Sequence, residues 1–177
     1  MAEATPIGIA SFGLCGALDP DLKVGEGIIA DGVISGEERW STDAAWSTRL
    51  RAALPGWRSG DVAAGDVIVG SPADKAALRR TSGAATVDME SHAVAAAAAA
   101  AGLPFVVVRA VSDVADRALP KAALAGFKAD GDPDIAAVIA ALVRRPRELP
   151  AMIRVGLDSE AAFKALAVAV AALTPRV

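Results

Sequence analysis

The chain has one cysteine, Cys15, and one histidine, His92. A lone thiol closes no disulfide within the chain, so the fold rests on its core and suits a reducing compartment. A His/Cys metal cluster is excluded on the same count. Excess charge of one sign is scarce as well: 18 Lys and Arg against 21 Asp and Glu leave a formal net charge of −3. No basic surplus recruits nucleic acid. The one dense basic group, Arg144, Arg145 and Arg147 around Pro146, reads as a helix C-terminus, where cations suit the dipole. The start, Met1 to Pro6, has neither the basic nor the apolar region of a secretory signal. A bilayer-spanning run is lacking too. Ser91 to Val108 carries no formal charge over 18 residues, but Gly102 and Pro104 interrupt it and most of it is alanine, so a helix followed by a strand explains it better. A cytoplasmic protein is expected.

What is present is a one-domain length of 177 residues, with 54% hydrophobic residues, enough to bury a core. One domain over residues 1–177 is expected. Ile7 to Ser11 reads as a strand running into a glycine-bearing tight turn, Phe12-Gly13-Leu14-Cys15-Gly16-Ala17. Ile28 to Ile34 is rich in β-formers and broken near Asp31-Gly32. Ser41 or Thr42 is a candidate cap for a helix from about Asp43 to Ala53, with Trp46, Leu50 and Leu54 on one face. Asp66 to Val69 reads as a strand, and Ser71-Pro72 as a helix start with proline in its first turn.

Ala84 to Val87 is a further strand, followed by an alanine-rich helix from about Glu90 to Ala101 that Gly102 stops. Phe105 to Val111 is a continuous, β-branched strand of the kind found inside a sheet covered by helices. Asp134 to Val143 and Glu148 to Leu173, the latter with a candidate break at Gly156, read as closing helices. Strands alternating with helices predict an α/β fold with a mixed, largely parallel sheet flanked by helices.

Two acidic sites fall at the C-terminal ends of predicted strands, where open α/β sheets place their ligands. One is Val87-Asp88-Met89-Glu90 and the other is Ser112-Asp113-Val114-Ala115-Asp116. Taken singly, each is better explained by helix capping, with Asp88 as an N-cap and Ser112 or Asp113 capping a short turn. Their order and surroundings say more. Asp-Met-Glu-Ser opening a helix, then Leu-Pro-Phe-Val-Val-Val-Arg-Ala-Val-Ser-Asp-Val-Ala-Asp, resembles the signature stretch of the purine nucleoside phosphorylase / methylthioadenosine nucleosidase superfamily. Phe12 to Glu26 resembles that superfamily's glycine turn and the segment after it. Within the superfamily, Ser-Phe-Gly-Leu-Cys-Gly-Ala-Leu-Asp-Pro and Asp-Met-Glu-Ser-His most resemble the hopanoid-associated phosphorylases, which act on adenosylhopane.

The resemblance implies cleavage of the N-glycosidic bond of an adenosine-like nucleoside by phosphate or water, with no metal and no organic cofactor. It casts Asp113 as the acid at purine N7, held neutral by partial burial. Glu90 would accept hydrogen bonds from the ribose 2′- and 3′-hydroxyls. Met89 would pack on the sugar and Ser112 would orient Asp113. Backbone N–H groups near Gly13 would face phosphate or the attacking water, since glycine allows close approach.

The chain also departs from the family pattern. Leu14 stands where many relatives carry a hydroxyl residue after the first glycine, which counts against phosphorolysis. Asp66 to Arg80 offers no aromatic to stack on the base. The family's section ahead of the glycine turn, with an acidic residue that helps to activate the nucleophile, is expected to be missing. A non-catalytic nucleoside-binding remnant is therefore the rival reading, and a purely structural module the third.

Of the other conspicuous residues, His92 is expected to pack or cap, and Trp40, Trp46 and Trp57 to serve the core or an oligomer surface. Cys15 is expected to be a small buried residue. Arg109, inside an apolar strand, requires a buried partner. Ala161 to Leu173 has Lys164 as its only charge. A helix so apolar is expected to be covered by the rest of the chain or by a partner subunit, with contact to a membrane as the alternative. A homo-oligomer is expected, with weak peripheral membrane contact at most.

Overall fold

The computed structural model describes residues 6–126 and 134–173. In chain order the elements are β1 (Ile9–Ala17), β2 (Gly27–Ser35), β3 (Glu38–Ser41), α1 (Ala44–Ala53), β4 (Arg58–Ala64) and α2 (Pro72–Ser82). Next come β5 (Thr86–Asp88), α3 (Ser91–Ala101), β6 (Phe105–Asp113), the single turn α4 (Lys121–Leu124) and α5 (Ile135–Arg144). A 3-10 turn at Pro146–Glu148 leads into the long α6 (Leu149–Leu173).

The strands form one mixed sheet in the order β3-β2-β4-β5-β1-β6, and β6 pairs back onto β2. β1 with β6, β2 with β4 and β4 with β5 are parallel. β1 with β5, β2 with β3 and β2 with β6 are antiparallel. The return pairing closes β2, β4, β5, β1 and β6 into a ring, so β6 is hydrogen-bonded along both edges. That is the interior position its Val-Val-Val run predicts.

β6 also shows why the sheet needs helices on two sides. Val106, Val108 and Ala110 point into a cluster with Leu50 of α1 and Ala162, Leu166 and Ala169 of α6. Phe105 and Val107 point the other way, against Ala95 and Ala98 of α3. In α3 the buried residues are Ser91, Ala95 and Ala98, a stripe at helical spacing whose small side chains let the helix lie close to the sheet. The helix ends at Gly102, which takes the left-handed conformation with φ of 64° that residues with a Cβ seldom adopt.

Several local expectations need correction. The glycine-bearing segment Phe12 to Ala17 is not a turn: β1 runs through it, paired in parallel with β6 and shifting register only between Cys15 and Gly16. Asp66 to Val69 is not a strand but part of the connection into α2; the strand is β4, whose Arg-Ser-Gly-Asp start hides it from a hydrophobicity pattern. β2 does not break at Asp31-Gly32, where only its register against β4 shifts. The cap of α1 is Asp43, whose carboxylate accepts from Trp46 N at 2.7 Å. Thr42 Oγ1 instead donates to Ala30 O at 2.7 Å. Gly156 does not interrupt α6. The Ser71 cap, with Pro72 in the first turn, is as expected.

Candidate active site

Side chains alternate along a strand, so Arg109 and Asp113 project from the face of β6 opposite the α1–α6 cluster. Across β1, Gly13 sits level with Arg109 and Gly16 with Asp113. The C-terminal end of β5 delivers Asp88, Met89 and Glu90 to the same place. Gly13, Met89, Glu90, Ser112 and Asp113 all line one cavity of about 500 Å³, together with Leu14 and Arg109. Its apolar wall includes Val67 from the loop before α2 and Val155 and Phe163 from α6. Phe12 and Phe163 bring to it the aromatic character that residues 66–80 lack.

Two ion pairs hold the acidic strand ends. Asp88 and Arg109 are buried, and Arg109 Nε donates to Asp88 Oδ2 at 2.5 Å. Arg109 Nη2 donates to Ser11 Oγ and Ser91 Oγ, both at 2.9 Å. The Asp88 carboxylate also accepts from the backbone N–H of Ser91 at 2.9 Å and of Glu90 at 3.2 Å. Asp88 is thus the buried partner that Arg109 requires, and it satisfies free N–H groups at the start of α3 although the cap residue itself is Glu90. With Asp88 committed inward, the Glu90 carboxylate faces the cavity, 69% exposed and in a loose ion pair with Arg109 Nη2 at 3.9 Å.

The second pair joins Asp113 to Lys75 of α2. Lys75 is fully buried. Its ammonium donates to Asp113 Oδ2, to Val114 O at 2.7 Å and to Arg117 O at 3.0 Å. Burial pushes the Asp113 carboxyl above the ordinary carboxylate range, while the hydrogen bond and charge of Lys75, and then the charge of Arg117, pull it back. Arg117 is itself tied to Asp158 of α6 at 2.6 Å. Ser112 Oγ donates to Cys15 O at 3.4 Å, so the polar side chain seen to hold Asp113 is Lys75.

Lys75 escapes the motif search, yet it leaves a trace in the sequence. It shares a helical face with Leu78 and Ser82, so a cation stands where the pattern calls for a buried residue. Gly13 also answers a steric demand. A Cβ there would lie 2.6 Å from Arg109 Nη1, so glycine makes room for the buried guanidinium. His92 Nε2 reaches Asp66 Oδ1 at 3.3 Å. Trp46 and Trp57 pack against the α1–α6 cluster and Trp40 against the α3 cluster, so none of the three serves the cavity. Cys15 is buried and lines the cavity.

The sequence profile of the phosphorylase superfamily matches residues 1–145. The chain belongs to this superfamily. No protein with a curated description matches it in sequence. Among solved structures it is similar to the 5′-methylthioadenosine/S-adenosylhomocysteine nucleosidase of Neisseria meningitidis in complex with methylthio-immucillin-A, with 22% identity over 94% of this chain and 68% of that one, at a TM-score of 0.68. Native futalosine hydrolase of Helicobacter pylori strain 26695 is 19% identical over 94% of this chain and 69% of that one, at 0.63. A Helicobacter pylori 5′-methylthioadenosine/S-adenosyl homocysteine nucleosidase complex is 24% identical over 62% of this chain and 56% of that one, at 0.58. The chain thus spans little more than half of this last neighbour. At these identities the likeness establishes the α/β fold with its mixed sheet and flanking helices. Among the described residues no helix is long and apolar enough to cross a membrane.

Proposed function

We propose that this superfamily member cleaves the N-glycosidic bond of an adenosine-like nucleoside and releases adenine. The observation that carries the reading is the presence of exposed Glu90 and mostly buried Asp113 on the wall of one cavity large enough for a nucleoside. In the reaction the bond from sugar C1′ to purine N9 breaks and its electrons pass into the base. Asp113 hydrogen-bonds or protonates N7 as that charge develops. Glu90 accepts hydrogen bonds from the 2′- and 3′-hydroxyls and places negative potential beside the cationic sugar. Met89 packs on the ribose, and Ser112 lines the cavity beside Asp113, the acid it was expected to orient. Phosphate or water completes the new bond at C1′ from the Gly13 side, with Leu14 favouring water because it offers no hydroxyl to a phosphate.

The apolar wall formed by Val67, Val155 and Phe163 supports a bulky, greasy 5′ substituent, as in the adenosylhopane suggested by the hopanoid-associated resemblance. Ile135, Ile139 and Val143 of α5 and Ile153, Leu157 and Val168 of α6 are exposed, which supports burial against a second copy of the chain. The direct test incubates the chain with adenosine and with adenosines carrying apolar 5′ groups, with and without phosphate, and measures free adenine and the sugar product. Release of adenine with free sugar supports hydrolysis, and release as the sugar 1-phosphate supports phosphorolysis. Nucleoside binding without release would leave the non-catalytic binding module as the better reading.

A further inference from the structure

The buried lysine of α2 has no place in the scheme above, although it makes the closest polar contact to the proposed acid. An ammonium group out of reach of water is costly unless it is paired and hydrogen-bonded. Lys75 meets that demand with three acceptors: one Asp113 oxygen and the carbonyls of Val114 and Arg117. All three lie on β6 or the loop that leaves it, so one cation gathers the carboxylate and the turn behind it into a fixed arrangement. Lys75 does not line the cavity, whereas Asp113 does. The lysine therefore approaches from behind.

We propose that Lys75 is a positioning residue for Asp113: it anchors Oδ2 from the protein side, leaves the other carboxylate oxygen for the purine, and sets by its charge the pH range in which Asp113 holds a proton. This rests on the nucleoside-cleaving reading for its meaning in catalysis, but not for the pair itself. The other groups facing Asp113 are Arg117 and, across it, Asp158 of α6, which lower and raise its affinity for a proton respectively. Arg154 of α6 shares the small recess behind Ser112 and Asp113. Cys15 of β1 lies near enough to feel the Asp113 charge, and Glu90 shares the main cavity. Lys75 alone among them donates a hydrogen bond to the carboxylate.

An adjacent cation favours the ionised carboxylate. A reaction that needs protonated Asp113 therefore loses rate, as pH rises, earlier with Lys75 present than without it. In Lys75→Met the falling alkaline limb of kcat/KM is expected to move up by roughly one to three pH units, while the maximal rate drops because the acid is no longer held. A purely structural lysine would lower the rate without moving the limb, and that result would overturn the proposal. A second measurement needs neither the variant nor any turnover. In the unmodified protein the Lys75 Nζ resonance and the Asp113 carboxyl carbon are followed by NMR across pH, with Asp113→Asn as the assignment control. A step in the Nζ signal at the pH where Asp113 titrates is expected. An Nζ signal that stays flat while Asp113 titrates would overturn the pairing. A coupled step in a protein that releases no base would sustain the pair and refute the enzymatic reading instead.

Discussion

The Arg109 guanidinium lies across Gly13, with Nη1 2.6 Å from where a Cβ on that glycine would stand. The guanidinium cannot easily step aside, because its Nε is held by Asp88 and its Nη2 by Ser11 and Ser91. Gly13→Ala should therefore cost about 1–3 kcal/mol, the usual penalty for forcing atoms into a packed site. Equilibrium denaturation in urea reads the loss. A variant as stable as the parent would show that Arg109 has room to move.

Asp88 is the counter-charge on which that arrangement depends. Asp88→Ala leaves a buried guanidinium without its partner and should destabilise the chain by about 3–5 kcal/mol. Arg109→Met together with Asp88→Ala should recover much of the loss, because the uncompensated charge is then gone. The double-mutant cycle, measured by denaturation, checks this. Additive losses would mean that the two residues are not coupled.

What the sequence conveys and what it hides divide along physical lines. β6, α3 and the strand ends carrying Glu90 and Asp113 are legible because a β-branched run, an alanine run and a glycine stop each act over a few neighbouring residues. β4 is hidden because its polar first half, Arg58 to Asp61, breaks the apolar pattern. Gly13 and Gly16 suggest a turn because glycine usually serves backbone conformation, whereas Gly13 answers a side chain that arrives from β6. Lys75 is hidden for a related reason. Its partners lie 38 or more residues away in sequence, and only the folded sheet brings them to α2.

Cys15 offers a check on how closed the cavity floor is. Burial pushes its thiol up to about 12, against a partial offset from the Arg109 charge. The thiolate is the reactive form, so a raised thiol reacts more slowly at any given pH and its reactivity climbs as pH approaches the raised value. At pH 8 labelling of the native chain by iodoacetamide should be at least about 100-fold slower than labelling of the urea-unfolded chain. Equal rates would place Cys15 at the surface.

Glu90 is assigned to the ribose diol, so Glu90→Gln should impair ribosides far more than 2′-deoxyribosides, by about tenfold or more in binding. Titration of both substrate types against the parent and the variant measures the ratio. Equal losses would reduce Glu90 to a charge at the start of α3.

The most direct test of the central claim is adenine release by the parent chain and by Asp113→Asn, with nucleoside binding measured on the same preparations. Asparagine keeps the shape of the side chain and removes the proton. Release from the parent, a fall of about 10²–10⁴-fold in the variant and binding retained within about tenfold are expected. A variant that turns over at near the parent rate, or a folded parent that binds nucleoside and releases no adenine, would contradict the assignment.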